Sequence, residues 1–232
     1  MSRVKAKAPR RRKAAPEDDA DETTLTARAY RQLEELIVTL RLQPGTVLSE
    51  QTLAHKLAIG RTPIREALQR LAHDGLVVIM PRRGVMVSEI NIRTQLRLLE
   101  VRREVERLIA RLAAARATAA ERSEFADIAD GMMAAARTGD DIAFMRLDQR
   151  FNVLSAEAAR NEFASRSMGL MHGLSRRFWY QHYKEVADLP RAARLHADVA
   201  TAIERGVEDA AATASDRLID YIAEFARKTL DD

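Results

Sequence analysis

The chain has 232 residues, 47% of them hydrophobic, and 38 lysines and arginines against 34 aspartates and glutamates, a net charge of +4. That length suits two domains, one substantial core and a smaller one, and the charge permits a polyanionic partner without requiring it. The lack of cysteine excludes disulfides, thiolate metal centres and cysteine nucleophiles, while no apolar run approaches the roughly 18 residues of a spanning helix and no signal-peptide core follows the charged N-terminus, so a cytoplasmic protein without a membrane partner is expected.

Residues 1–24 carry a basic block (Arg3, Lys5, Lys7, Arg10, Arg11, Arg12, Lys13) and then an acidic one (Glu17, Asp18, Asp19, Asp21, Glu22). Such composition reads as a disordered tail, either a solubilising leader or an arm along a DNA backbone. From Leu25 the pattern turns helical, with Leu33, Leu36, Ile37 and Leu40 on one face, until Pro44 and Gly45 break it. Ser49 stands as the N-cap of a short helix with Leu53, Ala54 and Leu57 inside. After a turn at Ala58, Ile59 and Gly60, a further helix has Pro63 in its first turn and Ile64, Ala67, Leu68 and Leu71 on its apolar face, ending at Asp74 and Gly75. Two strand-prone runs, 76–80 and 85–88, are joined by Pro81, Arg82, Arg83 and Gly84, a hairpin with a basic tip.

Beyond Asn91 the chain is alanine- and leucine-rich. Leu98, Val101, Val105, Leu108 and Leu112 recur at helical spacing, as do Phe144, Leu147, Phe151 and Leu154, then Leu195, Val199 and Ile203, then Leu218, Ile222 and Phe225. Gly131, Gly139, Pro190 and Gly206 mark ends or joints. The fold class expected is mainly α: a winged helix-turn-helix of three helices and a β-hairpin over 25–90, then an all-α bundle of about six helices over 91–232.

In such a motif the start of the third helix enters a major groove. Arg61, Thr62 and Arg65 occupy that start, the two arginines one turn apart on one face. Each guanidinium can grip guanine O6 and N7, or a phosphate, with two hydrogen bonds. Arg82 and Arg83 at the wing stand beside Gly84, where a missing side chain allows close approach to DNA. Any one of these arginines alone would read as an ordinary surface charge.

The run Pro44-Gly45-Thr46-Val47-Leu48-Ser49-Glu50, then Leu53-Ala54, Arg61-Thr62-Pro63-Ile64-Arg65-Glu66-Ala67-Leu68, Gly75-Leu76-Val77 and Arg83-Gly84, closely resembles the signature of the GntR family of transcriptional regulators. The resemblance implies a dimer on an inverted repeat of double-stranded DNA, with Arg61, Thr62 and Arg65 on bases and phosphates, Gly84 at the wing, and Glu66 and Leu68 in structural roles. Two positions depart from it. Gly60 replaces a common serine or threonine, at a cost of about a few tenths of a kcal/mol in capping, and Gln51 stands where several relatives carry a DNA-contacting arginine.

Residues 91–230 resemble the FCD type of C-terminal domain through Glu100-Val101-Arg102, Leu147-Asp148 with Phe151, and Leu195-His196. In many such domains an aspartate, a histidine four residues on and two later histidines hold a divalent metal, to which a small carboxylate effector binds. Here Asp148 and His196 match, Asn152 stands at the plus-four position and Leu218 takes the place of the last histidine. That leaves at most three ligands with one imidazole, against tight zinc or nickel. The competing expectation is a metal-free pocket lined by Arg102, Asp148, Asn152 and His196, in which Arg102 takes the effector's carboxylate. A plain ion pair between Arg102 and Glu106 is the simpler use of that arginine. His55, His73, His172 and His182 read as surface or hydrogen-bonded structural residues, and Met132, Met133, Met145, Met168 and Met171 as core filler or adaptable pocket lining.

The expected function is a homodimeric DNA-binding regulator, a repressor whose operator binding responds to a small organic acid. The alternative is a helical ligand-binding or interaction protein with a vestigial DNA head. No enzyme is expected, as there is no phosphate-cradling glycine loop and no nucleophile-base arrangement.

Overall fold

The computed structural model describes residues 24–186 and 188–229. The charged segment 1–23 lies outside them. Helix α1 (Leu25–Val38) begins on the Thr24 hydroxyl, which accepts from the Ala27 N–H, so Thr24 belongs to the helix and not to the tail. The apolar face was expected to run on through Leu40, but the helix ends two residues earlier. Thr39 turns its N–H and hydroxyl back on the Glu35 carbonyl, and Leu40 takes a left-handed φ of 58°.

Strand β1 (Val47–Leu48) precedes α2 (Glu50–Leu57) and α3 (Arg61–His73), and the wing follows as β2 (Val77–Met80) and β3 (Gly84–Val87). The sheet has the antiparallel order β1-β3-β2, with Leu48 opposite Val85 and Ile79 opposite Val85 on the other side. The two-residue β1 was not anticipated from the sequence, since so short a run carries no readable alternation. It anchors the wing to the loop after α1. Leu33, Ile37, Ile64, Leu68, Leu71 and Leu76 close the core of this unit, each at most 1% exposed, and full burial of such side chains contributes about 1.5 to 3 kcal/mol apiece. Thr26 donates to Glu66 across α1 and α3 at 2.6 Å, a structural use of that glutamate.

Among the described residues the remainder is six helices: α4 (Ile92–Arg116), α5 (Ala119–Thr138), α6 (Asp141–Ala158), α7 (Glu162–Val186), α8 (Leu189–Glu204) and α9 (Glu208–Lys228). None of the helices is long and apolar enough to cross a membrane. Gly139 and Gly206 sit at helix ends with φ of 68° and 71°, and Pro190 lies in the first turn of α8. Gly131 is not a joint. It lies inside α5, where an added Cβ would meet Leu147 Cδ1 at 2.9 Å, so it allows α6 to pack closely. The break between α4 and α5 is instead made by Thr118, whose hydroxyl and backbone exchange hydrogen bonds with Glu121 in a capping box. The α4 stripe also differs from expectation. Val101 is 54% exposed, and the helix turns Gln95, Leu99, Arg102 and Ile109 inward. Phe125, Met132, Leu154 and Ile203 fill the bundle centre. Arg122 ties two helix ends together by donating to the Ala114 and Ala117 carbonyls at one and to the Ile203 and Glu204 carbonyls at the other, where a cation is favoured.

Candidate nucleic-acid interface and ligand cavity

Helix α3 presents its first turn to solvent. Arg61, Thr62 and Arg65 are all exposed, as are Gln51 on α2 and Arg82, Arg83 and Gly84 on the wing. Gly60 is the N-cap of α3 and makes no side-chain capping bond, leaving amide donors at this helix start open to an anion. Arg82 holds a left-handed φ of 64° and Gly84 one of 95°, a tight turn that projects the two wing arginines. Gly84 lies 3.7 Å, by its missing Cβ, from the Leu48 carbonyl, so the glycine serves wing packing as well as approach.

Glu50 is the residue that sequence reasoning passed over. Arg65 donates to both of its carboxylate oxygens, Nε to Oε1 at 2.9 Å and Nη2 to Oε2 at 2.8 Å, and Arg61 Nη2 stands 3.9 Å from Oε2. Glu50 therefore orients the two guanidiniums on a common face. The hydrogen bond and charge of Glu50 raise the pKa of Arg65, and Arg65 holds the Glu50 carboxyl below the usual range.

Within the bundle a cavity of about 650 Å³, counted with its mouth, is lined from five helices. Helix α4 supplies Arg102 and Glu106, α6 Phe144, Asp148 and Asn152, α7 His172, Ser175, Arg176 and Trp179, α8 His196, and α9 Leu218 and Ile222. All four expected effector residues, Arg102, Asp148, Asn152 and His196, thus line one space together with Leu218. Arg102 is 7% exposed and its Nε contacts Glu106 Oε1 at 2.5 Å; the intrahelical ion pair and the place in the pocket wall coexist.

His196 Nδ1 faces the Ala192 carbonyl at 2.8 Å, which makes it a donor, and Nε2 lies 3.1 Å from Asp148 Oδ1. Burial opposes the charge on both groups, yet their mutual contact prevails, raising the histidine pKa and lowering that of the aspartate. The rings of Phe144 and Phe151 meet His196 edge-on at 5.5 and 6.1 Å. Asn152 directs its amide nitrogen at the Asp148 carbonyl (2.9 Å) and Oδ1 (3.1 Å). Among the described residues no three histidine or acidic side chains gather as a metal cluster. A separation near 3 Å would suit two ligands of one ion, but ligand type decides: zinc sites of four protein ligands, or of three with water, draw them from histidine, carboxylate and thiolate. Asp148, His196 and one amide, with Leu218 in the fourth place, do not fit a tightly held transition metal.

The histidine read as structural, His172, is in the cavity wall, and burial and the nearby Arg102 lower its pKa and favour the neutral imidazole. With Arg176 and Trp179 it recurs at four and three residues along one face of α7, a spacing that could have flagged the trio.

The other side of α7 grips the winged unit. Arg177 is 2% exposed and donates to the Ser88 carbonyl (2.9 Å), the Ser88 hydroxyl (3.0 Å) and the Glu89 carbonyl (3.3 Å), the residues linking β3 to α4. Burial pushes its pKa down to about 10, so it stays charged at neutral pH. Gly173 allows the approach: a Cβ there would lie 2.8 Å from Leu76 Cδ1 and 3.2 Å from Glu34 Oε1. Burial raises the Glu34 carboxyl, and the Arg176 charge opposes that rise. One helix thus carries cavity residues on one face and the winged unit's anchor on the other.

Residues 25–87 match the family model described as bacterial regulatory proteins, gntR family, and residues 97–221 match the FCD domain. The chain is 27% identical over 199 residues to the HTH-type transcriptional repressor RspR of Escherichia coli (strain K12), covering 86% of this chain and 87% of that protein. It is 30% identical over 129 residues to the Nta operon transcriptional regulator of Aminobacter aminovorans, 55% of this chain and 60% of that one. Among solved structures, E. coli McbR/YncC shares the fold with a TM-score of 0.75 at 17% identity, over 90% of this chain and 99% of that chain.

Proposed function

We propose that this chain, which belongs to the gntR family of bacterial regulatory proteins and carries an FCD domain, acts as a homodimeric repressor whose hold on DNA is relaxed by a small carboxylate. As a GntR-type transcriptional regulator it binds DNA through the winged unit. We assign the reading of bases and phosphates to Arg61, Thr62 and Arg65, with Gln51 and the Gly60 helix start on the backbone and Arg82, Arg83 and Gly84 at the adjoining groove. The observation carrying this assignment is the convergence of Arg61 and Arg65 on Glu50 at an exposed helix start beside a two-arginine wing. A vestigial head is disfavoured, because a drifting surface would have no cause to keep that alignment.

The effector reading rests on the cavity and on α7. An anion settling on Arg176 acts directly on the helix that holds the winged unit through Arg177, and one on Arg102 acts on α4, which packs against that helix. It controls DNA binding only if one placement of the two heads binds it better than the other. Two heads on a two-fold axis dictate the test. Selection of duplexes from a random pool by the full chain should enrich inverted repeats with half-sites on one DNA face. Retention of duplexes without enrichment of any sequence would leave a non-specific binder and remove the assignment.

A further inference from the structure

Next to the cavity, and sharing part of its wall, is a second chamber of about 410 Å³ counted with its open mouth, lined by apolar residues such as Ile109, Met168 and Val199 and by Ser155 and Ser215. Glu106, Asn152, His172 and Leu218 line both. Leu218, standing where a metal-ligating histidine is common in this domain type, offers an apolar passage between them.

The two chambers differ in charge. In the first, Arg102 is offset by Glu106, and the Asp148 carboxylate is taken up by its contact with His196. His172 is held neutral by its burial and by Arg102. Arg176 enters neither ion pair, and the Glu34 carboxyl that feels its charge lies outside the lining and is raised by burial, so Arg176 is the cation of the first chamber left to meet an anion. A single surplus cation favours a monoanion, since a second carboxylate would have to lose its water beside Glu106 or among apolar side chains. The second chamber carries a different polar chemistry, the hydroxyls of Ser155 and Ser215. Ser155 is 6% exposed, and its hydroxyl has no hydrogen-bond partner among the described residues. A helical serine commonly bonds the carbonyl one turn back, and a buried hydroxyl left unpaired is costly.

Asp148, which shares the first chamber's wall with Arg176 and lies close enough to feel its charge, is seven residues from Ser155 on α6, an axial distance of about 10 Å at the helical rise of roughly 1.5 Å per residue. That is roughly eight bonds of an extended chain advancing about 1.2 Å each. We propose that the effector is an amphiphilic monocarboxylate of about eight chain atoms, its carboxylate on Arg176, its apolar chain running past Leu218, and a polar group at its far end on Ser155. This rests on the reading of the cavity as the effector site.

Calorimetric titration of the full chain with octanoate, 8-hydroxyoctanoate, octanedioate and acetate tests it. The hydroxylated acid should bind about threefold or more tighter than octanoate, and both should exceed octanedioate and acetate by at least about tenfold. Ser155→Ala should erase the preference for the hydroxyl and leave octanoate unchanged, while Arg176→Gln should weaken both by about tenfold or more. Octanedioate or acetate binding best, or a hydroxyl preference that survives Ser155→Ala, overturns the proposal. If those short or doubly charged acids bind and depend on Arg102 or Arg176, the effector site stands and only this ligand class falls. If no acid binds, both fall.

Discussion

Replacing Arg65 by alanine should weaken binding to a selected operator by more than about tenfold, with helix content, melting temperature and oligomeric state unchanged. The size follows from the loss of a two-pronged contact to guanine or phosphate at the centre of a major-groove interface. The unchanged fold follows from exposure: the side chain is 58% exposed and its partner Glu50 lies at the surface, where an ion pair adds little to stability. Arg65→Lys separates charge from geometry. An ammonium keeps the attraction to phosphate but cannot form the planar fork, so lysine should restore non-specific binding more than operator binding. Fluorescence anisotropy with matched operator and scrambled duplexes measures both. Equal operator affinity for wild type and Arg65→Ala would remove α3 as the reading element.

Arg177→Ala should cost on the order of 3 kcal/mol in unfolding free energy, because it strips the Ser88 and Glu89 carbonyls of a charged donor and leaves a void. Arg177→Met fills most of that void without restoring any donor, so its loss beyond that of a cavity measures the hydrogen bonds. Urea denaturation monitored by circular dichroism gives the values. The functional consequence is separable from the loss of stability: in variants that still fold, a carboxylate should continue to bind the cavity while its effect on DNA affinity shrinks. A stability change within about 0.5 kcal/mol of wild type, the range of an ordinary surface substitution, would mean that the contacts of Arg177 do not hold the two parts together.

The winged unit was legible because its signals are local. Ser49 before a short helix, Pro63 in a first turn, Asp74-Gly75 at a stop and a basic four-residue turn each dictate backbone without help from distant residues. The six-helix bundle was equally legible as periodicity, but its joints were not all glycines: the α4–α5 break is a capping box at Thr118 and Glu121, while Gly131 is spent on close packing against Leu147. What stayed hidden depends on tertiary placement. Glu50 was quoted within a motif without a role, because its partner is fifteen residues away. His172 read as bland and Arg176 went unremarked until α7 was set against α4 and α6, and Arg177 gave no sign of burial, since a lone arginine on a helix is ordinarily at the surface. Val101, conversely, fitted an apolar stripe and is exposed, because α4 buries the face of Leu99 and Arg102 against α7 and α9.

The most direct test of an effector-controlled DNA-binding protein is the affinity of the full chain for its selected duplex, with and without the carboxylate that most raises its melting temperature. Coupling between two sites is reciprocal. DNA binding should weaken by about fivefold or more, and the duplex should weaken carboxylate binding by the same factor. A carboxylate that binds and stabilises the protein yet leaves duplex affinity unchanged would contradict effector control of DNA binding.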